Sequence, residues 1–561
     1  DARPDEMILI REAFGYGTGD LNPHSFYYPS LFSYLLFGLY GGYALLLLAS
    51  GAIASLGEIV IEFAKDPTPF FLIPRGMSAL FGTLTVPLVF MLSKRVAGVA
   101  AGLSAAGLLA VSFLHVRDSH FGVTDVAATG VLTLTMLPVL RIGRGGGWRD
   151  YVFAGICGGL AASLKYNAAL VAVPIAVAHF LRPRDRAPGE RGGSAWLRLG
   201  VAAGAMVAAF VLTSPFVVLD WRSFARDFSW QMGHLGGATN LSYARGWVRH
   251  AAFNLRHGVG IPALVLSVAG VLWLMRRDAR RGVLLLVFPV LYYLVMGHGR
   301  AVFARYAVPL IPFVCVFAGA GVAALYETLR RRTRPAAGAA AAVVAVVLAA
   351  VPQAAKSLDL VGLLRAPDTR AQCVLSLREA LPDGTVLGWI GTTYGRPRFP
   401  ESVEALQQRL ADVKAKGGSG RLLEARIEVA GRRDWGLRVE DLDLGESGAE
   451  WPDWVLVEDY PIAWVRSATD GAEPMLRSRG YERVQVFAGA EAAVFRRDDV
   501  VFDIQDSFYI PMSGLHRVAA PGPTLTLWRT PRNREQKAET SSRGWREGRY
   551  APRDANATIG M

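Results

Sequence analysis

Long apolar runs recur along the first two thirds of the chain, at roughly 76–92, 97–114, 122–140, 151–164, 166–181, 196–213, 259–275, 282–297, 306–326 and 336–355. A helix needs about 20 apolar residues to cross a bilayer. Most runs approach that length, while 151–164 and 282–297 are short and must borrow flanking residues. Ahead of them, 1–29 is polar and irregular. Residues 30–53 are apolar but interrupted by tyrosines and glycines, and 54–71 is mixed, with Glu58, Glu62, Lys65 and Asp66. The pattern predicts a polytopic α-helical membrane domain over 1–355. After Ala355 the hydropathy collapses. Val386–Ile390 and Trp454–Val457 read as buried strands, and Val403, Leu406, Leu410 and Val413 give helical spacing over Glu401–Lys416. Loosely alternating strands and helices predict a C-terminal soluble α/β domain over 356–530. Residues 531–561, rich in Arg, Ser and Gly, read as a disordered tail.

Every second loop between the runs is Arg-rich. Lys94 and Arg95 begin the series, followed by Arg141, Arg144 and Arg149, then Arg182, Arg184, Arg186 and Arg191. Arg276, Arg277, Arg280 and Arg281 come next, then Arg330, Arg331, Arg332 and Arg334. The positive-inside rule places these loops in the cytoplasm. The alternate loops (115–121, the turn at 165, 214–258 and 298–305) and the part after 355 then face outward, as does 54–75. No basic cluster anchors 30–53, which favours an interfacial or re-entrant segment over a span. That choice also keeps 1–29 on the face that carries 115–125.

Composition narrows the class. The chain has 561 residues, is 52% hydrophobic and has a mean hydropathy of +0.28, the profile of a membrane protein. A net charge of +13 invites nucleic acid as a partner, but the arginines lie between apolar runs, which is topology and not a phosphate-tracking patch. Cys157, Cys315 and Cys373 form no motif, which excludes a disulfide framework and a zinc site. There is no Walker loop, GxSxG or metal-spaced His pair. The opening on Asp1 in polar sequence suggests that a membrane helix precedes residue 1.

Ionisable residues concentrate where loops should be. His115-Val-Arg-Asp-Ser-His-Phe-Gly-Val-Thr-Asp125 places two carboxylates, two imidazoles and a guanidinium between apolar segments. Charges at a membrane boundary are costly unless solvated or paired, so the cluster is a candidate site, a solvated helix-stopping loop being the plainer alternative. Asp5-Glu6 are adjacent carboxylates that can raise one another's pKa and supply a general base; such pairs also simply start helices. Lys165-Tyr166-Asn167 carries a lysine with almost no loop around it, either snorkelling to the interface or aimed at a lipid phosphate. Arg305 opens an outward-starting helix and can hold a phosphate bidentately or bind headgroups generally. Trp221–His257 is rich in Trp, His and Arg, as an interfacial aromatic belt is, a sugar-stacking or acceptor-docking role being the other reading. Carboxylates and fixed cations on one membrane face suit transfer from a lipid-borne phosphate leaving group to a hydroxyl or amine. A divalent cation can bridge a carboxylate and a donor phosphate, though nothing in the residues demands one.

These motifs carry a family likeness. Asp5-Glu6, the Gly-Asp-Leu-Asn-Pro-His-x-Phe-x-Tyr-Pro run ending at Pro29, Arg-Asp-Ser-His-x-x-x-Thr-Asp at 117–125, Leu164-Lys-Tyr-Asn, and Arg305-Tyr-x-x-Pro-x-x-Pro312 are together fairly specific. The chain resembles the polyprenyl-phosphate-dependent glycosyltransferases of the GT-C fold, the bacterial glycosyltransferase family 39 group, relatives of protein O-mannosyltransferases and aminoarabinose transferases. The likeness covers about residues 1–355. It implies inverting transfer of a hexosyl or pentosyl group from a polyprenyl-phosphate sugar to a protein, lipid or glycan acceptor, on the outer face of a bacterial inner membrane. It further implies Asp5 as catalytic base with Glu6 beside it and Asp118 in the catalytic set. His24, Tyr28, His115, Arg117, His120, Asp125, Tyr166, Asn167 and Tyr306 would surround the substrates, and Lys165 and Arg305 would grip the donor phosphate. The family normally shows a membrane helix before its Asp-Glu pair. A transporter or lipid flippase, and a scaffold acting through its soluble domain, are the competing readings.

Overall fold

The computed structural model describes residues 3–183, 192–236, 246–332, 334–415, 420–431, 435–445, 451–460, 465, 468–490, 500–503 and 509–530. The expected disordered tail, and Arg184, Arg186 and Arg191, lie outside the described residues. The chain divides into two compact units, one of residues 1–56 and 67–358, the other of 57–66 and 359–561. Residues 57–66, read from sequence as part of the membrane domain, thus belong with the C-terminal part.

The first unit opens on a helix where the sequence read as irregular. Helix α1 (Pro4–Tyr16) starts on a proline, which suits a first helical turn, and places Asp5 and Glu6 there. Leu9, Ile10, Ala13 and Tyr16 form its buried face, a 3.6-residue period hidden among charged neighbours. Helix α2 (Leu31–Ala49) is unbroken, so the re-entrant form of the expectation fails. It is long and apolar enough to cross a membrane, yet its contacts run the other way. Ser30 N–H donates to Ser214 Oγ at 3.2 Å and the Tyr40 hydroxyl donates to the Phe70 carbonyl at 2.5 Å. Ser214 follows the end of one long helix and Phe70 opens another, at the same end of the unit, so α2 lies across that end.

After α3 (Ile59–Lys65) come α4 (Thr68–Ala97), α5 (Val99–Val111) and α6 (Phe113–Ser119), then α7 (Thr124–Ile142), α8 (Trp148–Leu164), α9 (Ala172–Leu181) and α10 (Gly192–Thr213). The short α11 (Phe216–Leu219) leads to α12 (Trp221–Gly236). A π turn at His250–Leu255 joins α13 (Gly246–Arg249) to α14 (Arg256–Val259), before α15 (Ile261–Arg277), α16 (Ala279–His298), α17 (Ile311–Arg332) and α18 (Pro335–Arg365). Among the described residues seven helices are long and apolar enough to span, or up to nine if each of two bent pairs is one span. The protein is thus a multi-pass membrane protein with a distinct non-membrane unit. Helix α7 is central, 83% of its apolar window being buried. Helices α15 and α17 approach closely through glycines: a Cβ on Gly270 would strike the Phe317 carbonyl, and one on Gly321 the Leu266 carbonyl. Small residues let backbones meet where lipid supplies no hydrophobic drive.

The polar run 115–121, expected as a loop, is mostly helical. Helix α6 continues α5 after a 56° bend at Ser112, and only 120–123 connect it to α7. Its Asp118 is paired with buried Arg3 and its His115 bonds the Gly82 carbonyl, so its polarity does not make it a loop.

The second unit holds a five-stranded sheet of order β2-β1-β3-β5-β4: β1 (Val386–Ile390), β2 (Arg438–Asp441), β3 (Trp454–Asp459), β4 (Glu482–Phe487) and β5 (Thr524–Arg529). Strands β1, β2 and β3 are parallel, and β5 is antiparallel to β3 and β4. Trp454 and Leu456 face one core with Leu387, Trp389 and Leu525, and Val455 and Val457 face another with Leu476 and Trp528. A sheet covered on both faces gives continuous apolar strands. Helices α19 (Thr369–Ala380), α20 (Val403–Ala415), α21 (Arg421–Ala430) and α22 (Ala472–Ser478) complete the unit, with α3 packed on α21.

Candidate functional site

Four acid–base pairs meet where α1, the α6–α7 junction, the α8 terminus and the 3-10 turn Ala304–Leu310 converge. Asp5 Oδ2 lies 3.2 Å from Arg305 Nη2. Glu6 accepts two hydrogen bonds from Arg75, at 2.8 and 2.7 Å, and a third from Gly122 N–H at 2.8 Å. Asp118 pairs with Arg3 at 2.6 Å, and Asp125 pairs with Lys165. Local structure explains each position. Neighbouring residues on a helix point about 100° apart, so Asp5 and Glu6 diverge, each to its own guanidinium. Asp125 sits in the first turn of α7, where the helix dipole favours a carboxylate. Lys165 ends α8 in extended conformation, which breaks the helix and frees the side chain. Gly122 lies so close to α4 that a Cβ there would come within 2.6 Å of Pro74 Cβ, and only this approach lets its N–H reach Glu6.

Accessibility separates the pairs. The side chains of Glu6 and Asp118 are fully enclosed (0% exposed) and Asp125 nearly so (3%). Asp5 keeps 20%, Lys165 12% and Arg305 11%, and Arg75, the partner of Glu6, keeps 28%, so of the four carboxylates Asp5 is the open one. Aromatic faces surround its cations: Lys165 lies 5.1 Å from the Tyr306 ring centre, and Arg305 lies 4.3 Å from Phe303 and 5.7 Å from Tyr306. Tyr28 faces the same charges. Burial, then Asp5 and Asp125, push its phenol well above its ordinary range, against the pull of Arg305. A carboxylate beside a guanidinium, with the Lys165 ammonium and aromatic rings in the same cluster, can accept a proton while the cations hold an anion.

Residues 74–221 match the family model of dolichyl-phosphate-mannose-protein mannosyltransferases. That stretch holds Arg75, Asp118, Asp125 and Lys165; Asp5 and Arg305 lie outside it. Among solved structures the chain is similar to ArnT from Cupriavidus metallidurans bound to undecaprenyl phosphate, at 13% identity over 88% of this chain and 93% of that one, with a TM-score of 0.45. The apo state of the same protein gives 13% identity, 81% and 83% coverage and a TM-score of 0.40. The apo oligosaccharyltransferase of Archaeoglobus fulgidus gives 15% identity over 64% of this chain, with a TM-score of 0.39. This chain spans about half the length of that enzyme (50%). No curated protein matches the chain.

The structure brings Asp5, Tyr28, Asp125, Lys165, Arg305 and Tyr306 together, and holds the other expected residues in bonds of their own. Asp118, read as catalytic, is enclosed in its pair with Arg3 and anchors the start of α1 to α6. Arg117 is buried beside it, 3.6 Å away. His115 is buried with Nε2 at 3.2 Å from the Gly82 carbonyl, and His120 Nδ1 bonds the Val116 carbonyl at 2.7 Å. Both imidazoles are committed to helix packing. His24 is exposed and bonds Asp20 at 2.7 Å. Tyr166 donates to the Phe26 carbonyl and packs its ring on Phe224 and Phe228. Asn167 donates to Tyr292 Oη at 3.2 Å. The paired carboxylates expected at Asp5-Glu6 do not face each other, for the rotational reason above. Sequence reasoning missed Arg3 and Arg75; the signal for Arg75 was a lone cation beside Pro74 at the head of an apolar run. Among the described residues no group of three or more His, Cys, Asp or Glu side chains is placed to hold a metal ion.

Proposed function

We propose that the protein is a membrane glycosyltransferase of the GT-C type, transferring a sugar from a polyprenyl-phosphate donor to a hydroxyl or amine on a protein, lipid or glycan. The observation that carries this reading is the open Asp5 carboxylate clustered with Arg305 and Lys165 at one end of an apolar helical unit. The family-model match over 74–221 supports the donor class. Asp5 takes the proton of the acceptor. The acceptor oxygen or nitrogen then bonds to the anomeric carbon from the face opposite the phosphate, the C–O bond to the phosphate breaks, and the anomeric configuration inverts. Lys165 and Arg305 hold the departing phosphate, Arg305 through its planar fork. Asp125 holds Lys165 in place, and Glu6 with Arg75 fixes the start of α1. By the positive-inside argument this end, with the C-terminal unit, faces away from the cytoplasm of a bacterial inner membrane.

The test is transfer by the full-length protein in proteoliposomes supplied with a polyprenyl-phosphate sugar. Asp5→Asn should lower the turnover rate about 10²- to 10⁴-fold, the range of a lost general base, while binding of polyprenyl phosphate persists. Lys165→Gln should instead weaken donor binding. Undiminished turnover in Asp5→Asn removes it as the base. Passage of labelled substrate across the bilayer with no glycosidic product favours a transporter.

A further inference from the structure

The opposite end of the helical unit holds a second polar cavity. Helix α7 carries Asp125 in its first turn and ends at Ile142. Its 19 residues at about 1.5 Å each give a separation of roughly one bilayer core from the ion pairs. At that far end a cavity of 370 Å³ is lined by Leu140, Arg144, Asp278, Arg280, Arg281 and Leu284, among others. Three arginines and one aspartate therefore line the cavity: Asp278 accepts from Arg281 N–H at 3.1 Å and pairs with Arg281 Nε at 2.9 Å. Arg144 and Arg281 both donate to the Arg95 carbonyl, at 3.3 and 3.4 Å, tying the termini of α4, α7 and α16 around the cavity. Arg95 Nη1 is buried there without a hydrogen-bond partner among the described residues. Arg280 and Arg281 stand in the first turn of α16, where the helix dipole disfavours cations. An anion in the cavity would offset the positive charge of Arg144, Arg280 and Arg281 together.

Arginines that only set membrane orientation can spread into water. These converge on a cavity with leucine side chains in its wall. We propose that the cavity binds a phosphate group, and that the adjoining leaflet supplies it as the headgroup of an anionic lipid. Guanidiniums match phosphate oxygens in geometry, and basic pockets between membrane helices suit such headgroups. Leu140 and Leu284 would meet the glycerol and upper acyl carbons.

The full chain is purified in detergent and titrated with phosphatidylglycerol, phosphatidylcholine or inorganic phosphate, with retained lipid read by native mass spectrometry and stability by melting. The variants are Arg144→Gln/Arg280→Gln, both exposed positions, and a control, Arg330→Gln/Arg331→Gln, that removes the same charge away from the cavity. The wild type should retain phosphatidylglycerol over phosphatidylcholine. The cavity variant should bind phosphatidylglycerol roughly 30-fold more weakly, as expected for two lost headgroup contacts, and the control should bind it as the wild type does. If inorganic phosphate stabilises the wild type but not the cavity variant, and phosphatidylglycerol shows no preference, the phosphate site stands and the lipid source is overturned. Equal loss in both variants, or none in the cavity variant, overturns the site itself.

Discussion

Asp118 and Arg3 are enclosed to 0% and 1% exposure, so their value lies in being matched. Removing one partner of a buried pair costs about 3–5 kcal/mol, because the other charge stays in a dry site, whereas an apolar replacement of both is far milder. Asp118→Ala should therefore destabilise the protein by that amount in detergent melts, and Arg3→Met/Asp118→Leu should recover part of it, because Arg117, 3.6 Å from Asp118, stays buried. Glu12 poses a different case. It lies on α1, outside the membrane-spanning helices, and burial lifts its carboxyl from 4.5 to about 8, the nearby Ser33 hydroxyl opposing the shift. Tyr16, Tyr34 and Tyr166 are its electrostatic neighbours. Between those two values the folded chain holds a proton that the unfolded chain has released, so stability falls as pH rises through the window. Melting temperatures should decline across it in the wild type and much less in Glu12→Gln. Neither Arg3 nor Glu12 could be read from sequence, because burial depends on neighbours dozens of residues away.

Helices were the most legible elements, since twenty apolar residues in a row leave few other folds. Where the sequence reading failed, polarity was taken for solvent. The charged face of α1 hid a buried stripe, and α6 was read as a loop although its charges are paired inside. The α2 segment passes every length criterion for a span, and only its bonds to Ser214 and Phe70 put it across the end of the unit. Packing at this scale rests on glycine. Gly270→Val would drive a branched side chain into the Phe317 backbone, and the α15–α17 contact should open, costing about 1–3 kcal/mol or more. Gly122→Ala should cost transfer activity beyond its effect on melting, since pushing the loop off Pro74 withdraws the N–H from Glu6 and loosens the α1 start beside Asp5.

For the whole molecule, the arginine series predicts opposite exposure of the two ends. The native cysteines 157, 315 and 373 are all buried, so labelling background is low. A membrane-impermeant maleimide applied to intact cells should label Tyr394→Cys, an exposed site in the C-terminal unit (46%), and should not label Arg280→Cys until the cells are opened. The reverse pattern would invert the proposed orientation. The same arginines have a second aspect that the sequence left unseen. As a list they are a topology signal, and only in the fold do three of them close on one cavity.

Local sequence alone determined the long apolar helices, where the arginines alternate, and that a non-membrane part follows the last of them, because each follows from residue type and short spacing. It also named most of the charged groups that meet near Asp5. Which carboxylate stays open and which is sealed came only from tertiary structure. Asp5 and Glu6 are adjacent in the chain, yet one faces Arg305 at the lip and the other is closed in by Arg75 and Gly122. That division arises from helix rotation and long-range packing, which no residue pattern encodes on its own.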